Sequence, residues 1–237
     1  MKIIKTISLD KKITINTLSL FLINATNFSL SIILLPKLID SFGISGWGEI
    51  ILCQIIINYF IWIIDWSFPQ YACKQISMYE NQLSKRRAIF KTTRSSQFIL
   101  FIISSIILII YSIFFSKNEF AYLYSLLTLL GNYLQSYWYF EGRERIYESA
   151  IFQLTNKLIF TFFVFKVLTK GDDISLYFLY FGLANLFTGI LSTLRIIFRY
   201  KEDIQIGNFG RSIKLIKKSF LLFNSSIIGN MSNSCIP

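Results

Sequence analysis

The sequence predicts an all-α protein, a polytopic bundle of transmembrane helices with six complete spans and the start of a seventh. Three observations carry this. The 237 residues are 54% apolar and only 16% charged, against about 25% charged in an ordinary soluble domain. The apolar residues gather into runs of about 20, the length a helix needs to cross a hydrocarbon core of roughly 30 Å. The Lys and Arg residues between those runs alternate in density along the chain.

The first run, about 13–35, follows a short basic segment and is too long for a signal-peptide core, so it reads as an uncleaved anchor. The others cover about 47–68, 97–115, 120–140, 149–168 and 175–198, and a seventh opens near Phe220. Barrel strands would alternate over about ten residues instead. Residues 1–200 are therefore expected to form an N-terminal six-helix bundle. Residues 201–237 are expected to be a cytoplasmic loop leading into a truncated second bundle.

Counting Lys and Arg between the runs gives four in 1–12, six in 69–96, two in 141–148 and six in 199–218. The intervening segments 36–46, 116–119 and 169–174 hold one each. This is the positive-inside pattern, and it places the N-terminus in the cytoplasm. A nucleic-acid surface has no reason to skip every second loop, so the net charge of +11 is read as topology and no nucleic acid is expected. The segment WYFEGRERIYE (138–148) then closes the fourth span, with Trp138, Tyr139 and Phe140 expected in the interfacial belt and Arg143 and Arg145 as anchors.

The chain has no histidine, which excludes His-dependent triads, metal sites and proton relays. Cys53, Cys73 and Cys235 are far apart and form neither a disulfide framework nor a zinc site. No Walker A or G-x-G-x-x-G sequence is present, so no nucleotide cofactor is expected; no cofactor or metal of any kind is assigned, and no catalytic residue.

Function is then sought in polar residues at membrane depth, where they are costly. Ser149, Gln153, Lys157 and Thr161 recur every four residues along the fifth run, with Asn156 beside them. Lys157 is about eight residues from the cytoplasmic end, or about 12 Å, too deep to snorkel easily, unlike Lys166 and Arg195 near helix ends. It is either a structural partner for a neighbouring helix or the cationic wall of a cavity for an anionic substrate. Weaker stripes are Thr17, Asn24, Asn27 and Ser31 on the first run and Thr128, Asn132, Gln135, Ser136 and Tyr139 on the fourth. Gly182, Asn185, Gly189 and Ser192 on the sixth suit close helix packing. Asp65 ends the second run, either balancing the basic loop or serving as a coupling carboxylate.

The residues Asp65-Trp66-Ser67-Phe68, followed by Ala72 and a basic loop, resemble the second-helix region of Wzx-type polysaccharide flippases of the multidrug/oligosaccharidyl-lipid/polysaccharide exporter superfamily. Trp138, Phe140, Gly142 and Glu144 match that family's W-x-F-x-G-x-E segment, and Leu35-Pro36-Lys37-Leu38 with Phe42-Gly43 suit its first outer loop. Ser67 stands where the family often has glycine. The resemblance implies a membrane transporter and not an enzyme, in the bacterial inner membrane. It would move an undecaprenyl-pyrophosphate-linked oligosaccharide in O-antigen or capsule assembly, beside other polysaccharide-assembly membrane proteins. Lys157, Asn156, Gln153, Asn24, Asn27, Asn132 and Gln135 are the expected cavity residues, and Asp65 or Glu49 the carboxylates available for proton coupling. A polymerase or glycosyltransferase would need a sizeable outer loop, and a drug or ion exporter should favour acids at depth; the deep charge here is Lys157.

Overall fold

A computed structural model describes residues 2–116, 118–202, 207–220 and 222–224. They form helices α1 (Lys2–Asp65), α2 (Phe68–Met78), α3 (Leu83–Phe115), α4 (Glu119–Leu134), α5 (Tyr137–Gly142), α6 (Ile146–Lys166), α7 (Ile174–Tyr200) and α8 (Phe209–Lys218), with no strand among the described residues. Thr14–Met78, Leu83–Phe114 and Ile174–Tyr200 are each long and apolar enough to cross a membrane. The seventh run lies almost wholly outside the described residues, as do Asp203 and Cys235.

The long first helix is two arms. Gly43 (φ 73°, ψ 172°) breaks it with a backbone that side-chain-bearing residues rarely adopt. The ends of the bundle are then fixed by polar contacts. At one end the Asn16 amide donates to the Glu144 carbonyl (3.0 Å), Arg86 pairs with Glu202 (2.6 Å), and Trp66 Nε1 donates to the Ile216 carbonyl (3.0 Å). At the other, Lys170 pairs with Asp40 (2.7 Å), Gly171 N–H donates to the Ser41 carbonyl (3.0 Å), and the Asn118 amide donates to Glu49 (3.0 Å). The densely basic segments 69–96, 141–148 and 199–202 therefore share one end, and the sparse ones share the other.

Large apolar side chains point outward, with Phe21, Phe28, Phe114 and Phe198 between 67% and 77% exposed, while Ser96, Ser104, Ser125, Thr188 and Ser192 are sealed inside. Small buried residues let helices approach closely where no water drives association. The tightest seam joins α4 to α7. A Cβ added at Gly131 would lie 2.5 Å from the Asn185 carbonyl carbon, and one at Gly189 would lie 2.7 Å from the Gly131 oxygen.

Several expectations are corrected. Segment 69–96 is not a loop: α2 and the first turns of α3 are helical and lay their cations over the end of α7, with Arg87 donating twice to the Lys201 carbonyl. Segment 36–46 is helical apart from the Gly43 break. The second run ends at Asp65, because Trp66 (φ 43°) and Ser67 (φ 60°) are left-handed. Glycine at this position would relieve that strain. The fourth run is discontinuous: Gln135 and Ser136 leave the helical conformation between α4 and α5. Finally, Trp138, Tyr139 and Phe140 are 0–3% exposed. They are no interfacial belt but the centre of a cluster with Ala72, Ile76, Phe90, Ile196 and Tyr200. Gly142 is required there because a Cβ would meet the Cys73 carbonyl oxygen at 2.8 Å.

Candidate functional site

The first arm of α1 runs antiparallel beside α6. It is tied at Asn16–Glu144 near one end and at Asp40–Lys170 near the other. Lys157 lies midway between positions 144 and 170, and position 28 midway between 16 and 40, so Lys157 stands at mid-depth, level with Asn27 and Asn24. On α6, Ile151, Leu158 and Phe162 face outward, whereas Ser149, Phe160 and Val164 are buried. At 100° per residue, Gln153 and Lys157 fall on the buried side. Gln153, Lys157 and Asn27 are half-buried, and Asn24 is exposed. Burial acts on Lys157 with no neighbouring carboxylate to offset it, and it has no ion pair or hydrogen bond among the described residues. One turn further on, Thr161 Oγ1 is buried with no partner among the described residues. An ammonium without a counter-ion among the described residues can attract an anion.

Asn156, next to Lys157, serves differently. Its amide donates to Asn185 Oδ1 (3.0 Å) and Thr188 Oγ1 (3.1 Å). The Gln135 amide reaches the same two side chains (3.3 and 3.0 Å) and the Asn185 carbonyl (3.2 Å). These four residues knot α4, α6 and α7 together, so Asn156 and Gln135 are engaged by neighbouring helices. Thr188, at the centre of the knot, was not singled out by sequence reasoning.

A second polar group lies at the end of the α1 second arm. The Gln97 amide donates to Asp65 Oδ1 (3.4 Å), and Asn132 lies beside the same carboxyl. Gln97 Oε1 is buried without a partner among the described residues. One turn before Gln97, Arg94 is 3% exposed and covers the Tyr133 ring (4.1 Å). Its guanidinium donates to the Tyr133 carbonyl and to Ser136 Oγ (3.2 Å). From the other side the Thr193 hydroxyl donates to the Leu134 carbonyl (2.7 Å). The carbonyls freed where α4 stops are thus satisfied by α3 and α7, as a helix interrupted at depth requires. Arg94 falls in the segment expected to be a basic loop; its spacing of three from Gln97 on a helical face is the sequence signal that marks it. Glu49 lies at the opposite end from Asp65, and no ion pair joins Asp65 to Lys157 among the described residues.

The charges of WYFEGRERIYE are resolved at the basic end. Glu148 is 3% exposed and receives Tyr200 Oη (2.5 Å), Arg195 Nε (3.0 Å), Tyr147 Oη (3.2 Å) and Arg145 Nη1 (3.4 Å). Burial alone would raise its pKa, but the Tyr200 hydroxyl and Arg195, with Arg145, together hold it below the usual carboxylate value. Arg143 sits over the Tyr200 ring (5.1 Å).

Comparison with known proteins agrees with this architecture. The family described as polysaccharide biosynthesis protein matches residues 13–236. A candidate O-antigen transporter of Escherichia coli (strain K12) is 22% identical over 207 residues, 86% of this chain and 49% of that protein. The chain thus spans about half the length of the curated relative it matches. No solved structure matches it. An all-helical bundle with lipid-facing apolar surfaces, polar seams at depth and a match over nearly its whole length belongs to the polysaccharide biosynthesis protein family.

Proposed function

We propose that this chain is the N-terminal six-helix bundle, residues 1–200, of a flippase in the bacterial inner membrane. The flippase moves an undecaprenyl-pyrophosphate-linked oligosaccharide outward during O-antigen or capsule assembly. Residues 201–237 lead into a second bundle, and the N-terminus is cytoplasmic. The family match over residues 13–236 supports the polysaccharide role. The single structural observation that carries the reading is Lys157, half-buried at mid-depth with no counter-ion among the described residues. A lysine there costs about 2.5–3.5 kcal/mol on insertion scales, and an incoming pyrophosphate offsets that cost when the substrate occupies the seam. Gln153, Asn24 and Asn27 supply hydrogen bonds to sugar hydroxyls along the same seam. Asn132 lies with Asp65 in the group where a proton or cation would act as coupling partner. Asn156 and Gln135 position α6 and α4 around the path.

The reading is one of transport, and no residue is given a catalytic role. The test is surface polysaccharide in a flippase-null strain expressing the full-length protein that carries this chain, at matched protein level. Lys157→Ala should lower surface polymer at least tenfold while membrane insertion is retained. Wild-type polymer from that variant would remove the anion contact and the reading with it.

A further inference from the structure

A groove of about 480 Å³ opens between α6 and α7 at the basic end. Its walls are apolar and outward-facing, with Ile151 56%, Leu194 40% and Phe198 77% exposed. Its mouth carries Arg195 and Arg199 beside the buried Glu148. The charge there is not cancelled. Glu148 is covered and shared among Arg145, Arg195 and two tyrosines, and it engages Arg195 through Nε alone. Arg195 is 42% exposed at its side chain, and Arg199 is exposed. Further along the same two helices a second groove of about 450 Å³, lined by residues such as Ile159, Phe163, Phe187 and Ile190, carries no charged side chain. The two grooves lie in line along the α6–α7 seam. From Arg199 to Leu183 is about 24 Å of helix at 1.5 Å per residue. One leaflet with its headgroup layer is about 20–22 Å thick.

We propose that this furrow binds an anionic phospholipid. Its phosphate sits on Arg195 and Arg199, its first methylenes lie against Ile151, Leu194 and Phe198, and its acyl chain follows the uncharged groove toward mid-bilayer. The single cationic end and the one-leaflet length favour a phospholipid over the far longer polyprenyl chain of the proposed substrate. The site is separate from the α1–α6 seam that holds Lys157.

The experiment is native mass spectrometry of the detergent-purified chain, offered phosphatidylglycerol or phosphatidylcholine at equal mole fraction. The wild type should retain phosphatidylglycerol in preference. Basic residues near a membrane surface each contribute about 1 kcal/mol toward anionic lipid, so the double variant Arg195→Gln/Arg199→Gln should lose that preference by roughly tenfold or more. Arg199→Gln alone keeps the Glu148 pairing intact and should show an intermediate loss. Ile151→Trp should block retention by filling the groove without changing charge. Lys214→Gln/Lys217→Gln removes the same charge elsewhere at the basic end and should leave retention unchanged. Equal retention by the wild type and Arg195→Gln/Arg199→Gln, or equal loss in Lys214→Gln/Lys217→Gln, would overturn the site. Displacement of phosphatidylglycerol by equimolar polyprenyl phosphate would assign the furrow to the substrate lipid and overturn the phospholipid assignment. Because lipid retention is read directly, failure here leaves the surface-polysaccharide test of Lys157 unaffected.

Discussion

Gly131→Ala tests the seam on which the bundle rests. The new methyl would lie 2.5 Å from the Asn185 carbonyl carbon, 2.7 Å from the Leu186 nitrogen and 2.8 Å from Asn185 Cβ. Two of these are backbone atoms that cannot rotate away. Restoring ordinary contact at about 3.5 Å requires α4 and α7 to part by roughly 1 Å. That stretches the Gln135–Thr188 bond (3.0 Å) and the Thr193–Leu134 bond (2.7 Å) out of hydrogen-bond range. Overpacking costs about 1–3 kcal/mol, and each lost hydrogen bond about 1 kcal/mol. Alanine returns at most about 1 kcal/mol of helix propensity, so the net loss is about 2–4 kcal/mol. For a chain of this size that corresponds to roughly 4–16 °C in the melting midpoint. Gly48→Ala is the matched control: the residue is helical and exposed with nothing within 4 Å of its added Cβ, so it should be neutral or slightly stabilising. Thermal unfolding of both variants in the same detergent decides the matter. If Gly131→Ala melts with Gly48→Ala, the close α4–α7 approach is wrong.

Lys157→Arg should retain part of the transport lost in Lys157→Ala, because charge is kept while the compact ammonium becomes a planar fork. Exposed Lys166→Ala should stay near wild type, and equal defects at both positions in the surface-polysaccharide assay would argue for a general charge effect. The depressed pKa of Glu148 means that its contribution to stability is present above its ordinary value of 4.5 and is lost as pH falls below it. Glu148→Gln should therefore lower the midpoint at pH 7 and flatten the acid limb; melting curves that stay parallel to wild type from pH 7 to pH 4 would refute the assignment. Ser67→Gly should stabilise the chain by about 1 kcal/mol by relieving a left-handed backbone, and a lower midpoint would show that the serine side chain matters more. Reporter fusions after Glu148 and Asp203 should read cytoplasmic and those after Phe42 and Gly171 external; a cytoplasmic signal at Gly171 contradicts the orientation.

The helical runs were legible because apolar length is a direct physical requirement of the bilayer. Their edges were not. Charges in 69–96 mark a cytoplasmic end equally well whether the backbone there is loop or helix, and here Arg86 and Arg87 act from α3. The break at Gln135–Ser136 has neither proline nor glycine, and what permits it, Arg94 and Thr193, comes from helices distant in sequence. The aromatic trio 138–140 illustrates the same limit: rings at a helix end look alike in sequence whether they meet headgroups or one another. Polar periodicity found Lys157 and Asn156 together, but only the fold separates them. Asn156 is satisfied by Asn185 and Thr188, and Lys157 has no such partner among the described residues.

The interrupted fourth helix also bears on how the protein is made. Arg94 precedes the break in the chain, so one clamp is available as soon as α4 enters the bilayer. The other clamp, Thr193, is 59 residues downstream of the Leu134 carbonyl that it caps. At about 5–20 residues per second of synthesis, that carbonyl waits roughly 3–12 s for its partner. During that interval the nascent bundle carries an open acceptor at depth, so α7 completes the fourth helix as well as adding the next one.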